Sequence, residues 1–196
     1  MPRPKTVSDE QVLDAANRIL FERGAADFTL SEIAAHVGLS RAALIQRFKN
    51  RDTILRLMAK REVEATRAYL NGLPSASGGQ GTWQFLVEIV EGMGDGSDFP
   101  VRVHLAWLES RDAELRSLAH CRYQLVQSAI AQRLPVPEPT EAEGVAAMLH
   151  AVIAGATMQW IVTRDGPLPD YVLARLRRAM ALLFPDEEFA NPIVRH

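Results

Sequence analysis

The sequence predicts an all-α protein of about nine helices, an N-terminal three-helix domain built on a helix-turn-helix followed by a C-terminal helical bundle. Three observations carry that expectation. Apolar residues recur at three- and four-residue spacings, and no segment alternates with the period of two that a strand needs. Proline and glycine stand where one helical pattern stops and the next starts. Residues 29–51, TLSEIAAHVGLSRAALIQRFKNR, read as two short capped helices joined by a glycine turn.

Taken in order, residues 1–7 read as an arm carrying Arg3 and Lys5, ahead of the first helix. Ser8 caps that helix, Gln11 completes a capping box, and Asp9 and Glu10 suit the positive end of its dipole. Its apolar stripe is Val12, Ala15, Ala16, Ile19 and Leu20, closed by Arg23 and Gly24. In the second helix Thr29 and Glu32 have capping-box spacing, Ile33, Ala34 and Val37 share a face, and Gly38 fits a left-handed C-terminal cap. Ser40 caps a third helix whose Leu44 and Phe48, four apart, face inward. Asn50 caps a fourth, with Ile54, Leu55 and Met58 inside, reaching about Leu70. Residues 71–82, NGLPSASGGQGT, read as a loop. Five further helices are expected over about Trp83–Met93, Pro100–Ser110, Ala113–Leu134, Thr140–Thr163 and Pro169–Phe184. The expected division is a helix-turn-helix domain over 1–55 and a ligand-binding and dimerisation domain over 56–196, with the fourth helix (51–70) joining them.

Between Ser40 and Arg51 the charged residues are Arg41, Arg47, Lys49 and Arg51, with no acid among them. A capped helix, a tight turn and a basic second helix suit a major-groove reader; an ordinary helical hairpin with a solvated basic face remains the other reading. For DNA, Arg41 and Gln46 are the candidate base readers, since arginine pairs with guanine and glutamine with adenine in a bidentate way. Thr29, Ser31, Ser40, Arg47, Lys49 and Arg51 are the candidate phosphate holders.

The same stretch resembles the DNA-binding domain of TetR/AcrR-family transcriptional repressors, whose motif is roughly T-x-x-x-I-A-x-x-x-G-V-S-x-x-x-L-Y-x-x-F. Thr29, Ile33, Ala34, Gly38, Leu39, Ser40, Leu44 and Phe48 occupy the matching places. Ile45 stands where the family usually has a tyrosine that contacts the DNA backbone, and it has no hydroxyl to offer. It can instead touch a thymine methyl. Ala42 and Ala43 replace the more usual Gly and Thr, removing another donor. The resemblance implies a homodimeric, ligand-responsive repressor on a palindromic double-stranded operator. The segments VHLAWLESRDAELR (103–116) and HAVIAG (150–155) are similar, more loosely, to the betaine-repressor subgroup.

Composition bounds the other classes. The chain has 196 residues, 47% hydrophobic and 23% charged, with a net charge of −2, which are globular values. Residues 1–55 hold 8 Lys/Arg against 7 Asp/Glu, and residues 56–196 hold 14 against 17. Basic character is thus a local footprint at the third helix. Cys121 is the single cysteine, so no intramolecular disulfide forms; it reads as buried filler, with redox sensing as the other reading. No secretory signal or membrane-spanning run is read, so the expected place is the cytoplasm, without membrane contact. The five histidines His36, His104, His120, His150 and His196 fall into no metal or catalytic motif, so neither enzyme activity, metal nor cofactor is expected.

In AAMLHAVIAGATMQWIV (146–162) apolar character wraps more than one helical face, and such a helix must bury more than one side. Ala151, Ala154, Gly155 and Met158 are the candidate dimer strip; a central helix of a monomeric bundle is the alternative. Trp83, Phe85, His104, Trp107, Leu108, Tyr123, Met148 and Trp160 supply the aromatic and thioether surface from which an effector pocket would be built, or are simply core. Two other functions stay open: a small-molecule-binding protein with a vestigial helix-turn-helix, and an all-α enzyme.

Overall fold

The computed structural model describes residues 7–24, 27–135 and 138–190. The arm with Arg3 and Lys5, and His196, lie outside the described residues. Among the described residues run nine helices and no strand: α1 (Asp9–Arg23), α2 (Leu30–Val37), α3 (Arg41–Phe48), α4 (Arg51–Gly72), α5 (Gly78–Glu91), α6 (Phe99–Arg111), α7 (Ala113–Ala131), α8 (Pro139–Thr163) and α9 (Leu168–Leu183). The all-α expectation holds.

The chain divides into two compact units, and the division is not at 55/56. One unit takes the chain up to Ala65 and Asp98–Cys121; the other takes Thr66–Ser97 and the chain from Arg122 onward. α6 and the start of α7 join the first unit because their apolar residues, Val101, Leu105, Leu108, Leu115 and Leu118, pack on its core.

In the first unit, α1 starts with the expected capping box. Ser8 Oγ accepts from the Gln11 N–H at 3.2 Å and the Ser8 N–H donates to Gln11 Oε1 at 2.9 Å. Its inner face (Val12, Leu13, Ala16, Ile19, Leu20) meets Phe28, Ile33 and Ala34, Leu44 and Phe48, and Ile54 and Leu55 in one core. The box expected on α2 is only half formed. Thr29 Oγ1 accepts from the Glu32 N–H at 3.2 Å, but the Thr29 N–H already donates to the Asp27 carbonyl at 2.8 Å, and the Glu32 carboxylate turns to Arg23 at 3.3 Å. Gly38 ends α2 at φ 72°, ψ 29°, a conformation that costs a side-chain-bearing residue more than glycine. The Leu39 N–H then reaches back to the Ala34 carbonyl at 2.9 Å, closing a Schellman turn.

The second unit is an apolar bundle. Trp83, Phe85, Leu86, Val87 and Val90 of α5 pack with Leu149, Ile153 and Trp160 of α8 and with Val172, Leu176 and Met180 of α9. The expected loop over 71–82 is shorter in the structure, because α5 begins at Gly78. The glycines there mark close approach rather than a loop: a Cβ on Gly79 would strike the Glu187 carboxylate and one on Gly81 the Ala76 carbonyl. Arg133 is buried without a carboxylate hydrogen-bond partner among its described bonds. Its guanidinium donates to the Pro74 carbonyl at 2.8 Å and the Ala129 carbonyl at 2.6 Å, and stacks 3.8 Å from the Phe85 centroid.

Candidate nucleic-acid interface

α3 is set by its two ends and its inner face. Ser40 Oγ accepts from the Ala43 N–H at 3.1 Å. Leu44 and Phe48 are 0% and 3% exposed. A helix turns about 100° per residue, so with those two inside, Arg41, Ile45, Ala42 and Gln46 follow one another around the outer face. All four are exposed, and Ala43 beyond them is half-exposed. The two candidate base readers therefore flank two apolar side chains.

Arg47 does not join them. Its Nη1 donates to the Val7 carbonyl at 2.7 Å, its Nη2 pairs with Asp9, and the guanidinium sits 5.4 Å from the Phe48 centroid. It ties α3 to the start of α1 instead of standing ready for a phosphate. Chemically, a planar fork of donors has met a carboxylate and a carbonyl that lie side by side. The sequence could not show this pairing, because its partners are about forty residues away. Asp9, read as a dipole residue, is the partner that was missed.

The turn after α3 is tight. Lys49 has φ 67° and ψ −61°, and the Asn50 N–H donates to the Phe48 carbonyl at 2.8 Å, so Lys49 is the centre of a strained γ-turn. This lets Asn50 cap α4 at once, its Oδ1 accepting from the Thr53 N–H at 2.9 Å. Lys49 is exposed. Arg51 lies half-buried with its guanidinium 5.6 Å from the centroid of Phe28. Thr29, Ser31 and Ser40 are exposed. The oxygens of Thr29 and Ser40 accept from the backbone, which leaves each O–H proton to donate to a phosphate oxygen.

α4 is braced by ions inside the same unit. Asp112 accepts from Arg56 Nη2 at 2.6 Å and from the Leu115 N–H at 2.9 Å, so one carboxylate both pairs with α4 and caps α7. The Arg56 guanidinium, with the Leu115 N–H, holds the Asp112 carboxyl down at about 2. Glu114 adds contacts to Arg56 at 3.5 Å and Lys60 at 2.8 Å. Arg61 pairs with Glu10 at 3.0 Å and Asp14 at 2.7 Å on α1.

Residues 12–58 match the family of bacterial regulatory proteins named tetR. That span runs from the core of α1 to Met58 in α4 and contains all of α2 and α3. Solved structures share the wider fold. A transcriptional regulator from Rhodococcus sp. Rha1 is 17% identical, with 94% of this chain and 100% of that one covered at a TM-score of 0.74. The multidrug binding protein EbrR, complexed with proflavin, is 22% identical over 87% of this chain and 98% of that one, TM-score 0.65. SmeT, the repressor of the Stenotrophomonas maltophilia multidrug efflux pump SmeDEF, is 18% identical over 95% and 97%, TM-score 0.64. No curated protein matches the chain.

Outside the matched segment, the candidate effector residues are not brought together into one site within either unit. Trp83, Phe85 and Trp160 are buried core of the second unit, and Trp83 Nε1 donates to the Ala190 carbonyl at 2.8 Å. Tyr123 and Met148 are exposed there, Tyr123 edge-on to His150 with centroids 5.3 Å apart. Burial pushes the His150 imidazolium down toward the neutral ring. His104, Trp107 and Leu108 belong to the first unit, where Trp107 lies between His104 at 5.7 Å and Arg111 at 4.9 Å.

The candidate dimer residues do form one surface. Ala151, Ala154, Gly155 and Met158 are all exposed on α8, opposite Leu149, Ile153 and Trp160. Met148 and Val162 extend the strip at 44% and 84% exposure. Among the described residues no unbroken apolar run reaches membrane length, as the sequence indicates, although α8 comes near it on average. α8 contains an 18-residue window of mean hydropathy 1.6, of which 33% is buried. Gly144, His150, Thr157 and Gln159 interrupt the apolar run without adding charge, so the average stays high although the run is broken.

Proposed function

We propose that the chain is a homodimeric, ligand-responsive transcriptional repressor that places α3 of each subunit in the major groove of a palindromic operator. The observation that carries the reading is the outer face of α3 inside a tetR-matched segment: Arg41, Ile45, Ala42 and Gln46 exposed on a helix whose other face is locked by Leu44 and Phe48. Arg41 and Gln46 read bases. Thr29, Ser31, Ser40, Lys49 and Arg51 hold phosphates on either side, and Arg47 orients the helix. Ala43 lets the backbone approach.

Dimerisation is read from α8. A helix apolar on more than one side that buries a third of its most apolar window needs cover for much of the rest. A second copy fits, since a strip of small residues packs against its own two-fold mate, and reading paired half-sites requires two heads. The repressor reading is supported by the fold shared with SmeT, and the ligand response by the fold shared with EbrR, whose structure holds proflavin. The effector class stays with the second unit's exposed aromatic and thioether groups, Tyr123 and Met148. The acidic balance of residues 56–196, 14 Lys/Arg against 17 Asp/Glu, makes a cationic or neutral small molecule the first class of effector to try.

Binding selection on a random duplex library at about 150 mM salt tests the reading. The expected outcome is an enriched inverted repeat whose half-site centres lie about one helical turn or a multiple apart, bound with affinity that falls steeply as salt rises. No enrichment, with the protein folded, overturns it in favour of a small-molecule-binding protein with a vestigial helix-turn-helix.

A further inference from the structure

Resting on that DNA-binding reading, we infer that each half-site is recognised in part through a thymine C5-methyl group, received by an apolar patch that Ile45 and Ala42 form on the outer face of α3. The patch is a geometric fact of the helix. Positions 42 and 45 are three apart and therefore neighbours. Ile45 is 37% exposed and Ala42 is exposed, while the other large apolar residues of α3, Leu44 and Phe48, are sealed inside. Ile45 therefore leaves over a third of its surface open beside the exposed Ala42.

The groups around the patch say what it meets. Arg41 lies on one flank and Gln46 on the other, so the outer face reads hydrogen-bonding, apolar, hydrogen-bonding around the helix. In the major groove the polar flanks match base edges rich in donors and acceptors, and of the four bases only thymine offers a methyl group there. Cytosine has a C–H at the same place, which no donor or acceptor distinguishes from a methyl. An apolar side chain does distinguish them. Two side chains are far too small a surface to hold a partner protein, which needs on the order of 800 Å² per side, whereas one methyl group is the size of ligand they can cover. The Arg47 ties to Val7 and Asp9 fix the roll of α3 about its axis, so the patch is presented in one direction. Gln46 next to it adds a bidentate adenine contact, and the half-site should hold a thymine and an adenine within a few base pairs of each other.

The test uses the whole protein and a duplex taken from the random library selection. Each thymine in turn is replaced by deoxyuridine, which keeps the base pair and the O4 acceptor and removes only the methyl group. The expected result is one thymine position per half-site at which affinity falls about fourfold, and about fifteenfold when both half-sites are changed, the worth of burying one methyl at each. Ile45→Ala, a change at an exposed site, should bind the thymine duplex correspondingly less well and lose less than about twofold more on the uracil duplex. Wild-type protein indifferent to uracil at every position overturns the inference and leaves the DNA-binding reading standing. An Ile45→Ala protein that keeps the full uracil penalty also overturns it, because the methyl is then read elsewhere. Failure of any duplex to be bound overturns the DNA-binding reading and the inference with it.

Discussion

α3 and α8 each bury one face, and they differ in what the other face shows. Around α3 the outer residues are Arg41, Ile45, Ala42 and Gln46, a mixed surface with hydrogen-bonding ends. Along α8 they are Met148, Ala151, Gly155, Met158 and Val162, a mainly apolar strip with Gln159 exposed at its edge. The buried sides are equally apolar, Leu44 and Phe48 against Leu149, Ile153 and Trp160. The inner face of a helix therefore reports the fold, and the outer face reports the partner. A polar-flanked face suits base edges, which offer donors, acceptors and one methyl. A continuous apolar face suits another apolar face. The tethering differs in the same way. Helices of the first unit are cross-linked by ion pairs such as Arg56–Asp112 and Arg61–Glu10, whereas Arg133 and Arg175 of the second unit donate to backbone carbonyls and stack on Phe85 and Tyr171.

The largest effect is expected from breaking the α8 face. Gly155 has open space where a Cβ would sit, so Gly155→Arg can be built without disturbing the protomer. In a two-fold interface the charge enters twice. Sedimentation should show a monomer, and operator affinity should fall by roughly 10²–10⁴-fold, the advantage of holding two half-sites at once. A Gly155→Arg protein that remains dimeric with wild-type affinity removes this strip from the interface and undoes the contrast with α3.

The contrast between inner and outer faces is sharpened within α3 itself. Leu44→Ala deletes a fully buried side chain and should cost about 2–5 kcal/mol in urea unfolding. Gln46→Ala, on the outer face, should leave stability within about 0.5 kcal/mol. It should instead relax base preference at one position per half-site, by about 1–3 kcal/mol against the selected operator. If Gln46→Ala unfolds the protein or leaves the selected consensus unchanged, the outer face of α3 has been misread.

How much of this was legible beforehand depends on how local the cause is. Ser8, Ser40 and Asn50 cap their helices as their spacing says, because a cap involves only the next three residues. Leu44 and Phe48 are inside for the same short-range reason. The errors come from distance along the chain. The Glu32 carboxylate left its capping box for Arg23, Arg47 turns to Val7 and Asp9, and the Glu187 carboxylate lies where a Cβ on Gly79 would sit. Trp83, Phe85 and Trp160 were candidates for a pocket only because aromatic side chains look alike from sequence, whether they line a cavity or fill a core. Ala151, Ala154, Gly155 and Met158 stand exposed on one side of α8, where their helical spacing puts them, and their role as a dimer seam is the proposal made above.

The smallest effect is expected from the ionic bracing of the first unit, and it appears only in acid. The Asp112 carboxyl is held at about 2 by the Arg56 guanidinium first and the Leu115 N–H second, while an aspartate in an unfolded chain titrates near ~3.9. A native value below the unfolded one means that the unfolded chain binds the proton more readily. The stability Asp112 contributes is therefore complete above about pH 4 and is lost as pH falls from about 4 to about 2. Since its side chain and that of Arg56 are 27% and 32% exposed, solvent screens the pair and the effect is modest. Asp112→Asn keeps an oxygen for the Leu115 N–H but cannot titrate. Its unfolding midpoint should be lower than wild type at pH 6, and the gap should narrow steadily between pH 4 and pH 2 as the wild-type carboxylate is protonated. Thermal unfolding at a series of pH values measures this directly. A gap that stays constant down to pH 2 would show that Asp112 braces α4 by shape and hydrogen bonding alone, and that the ionic character distinguishing the first unit contributes nothing at this site.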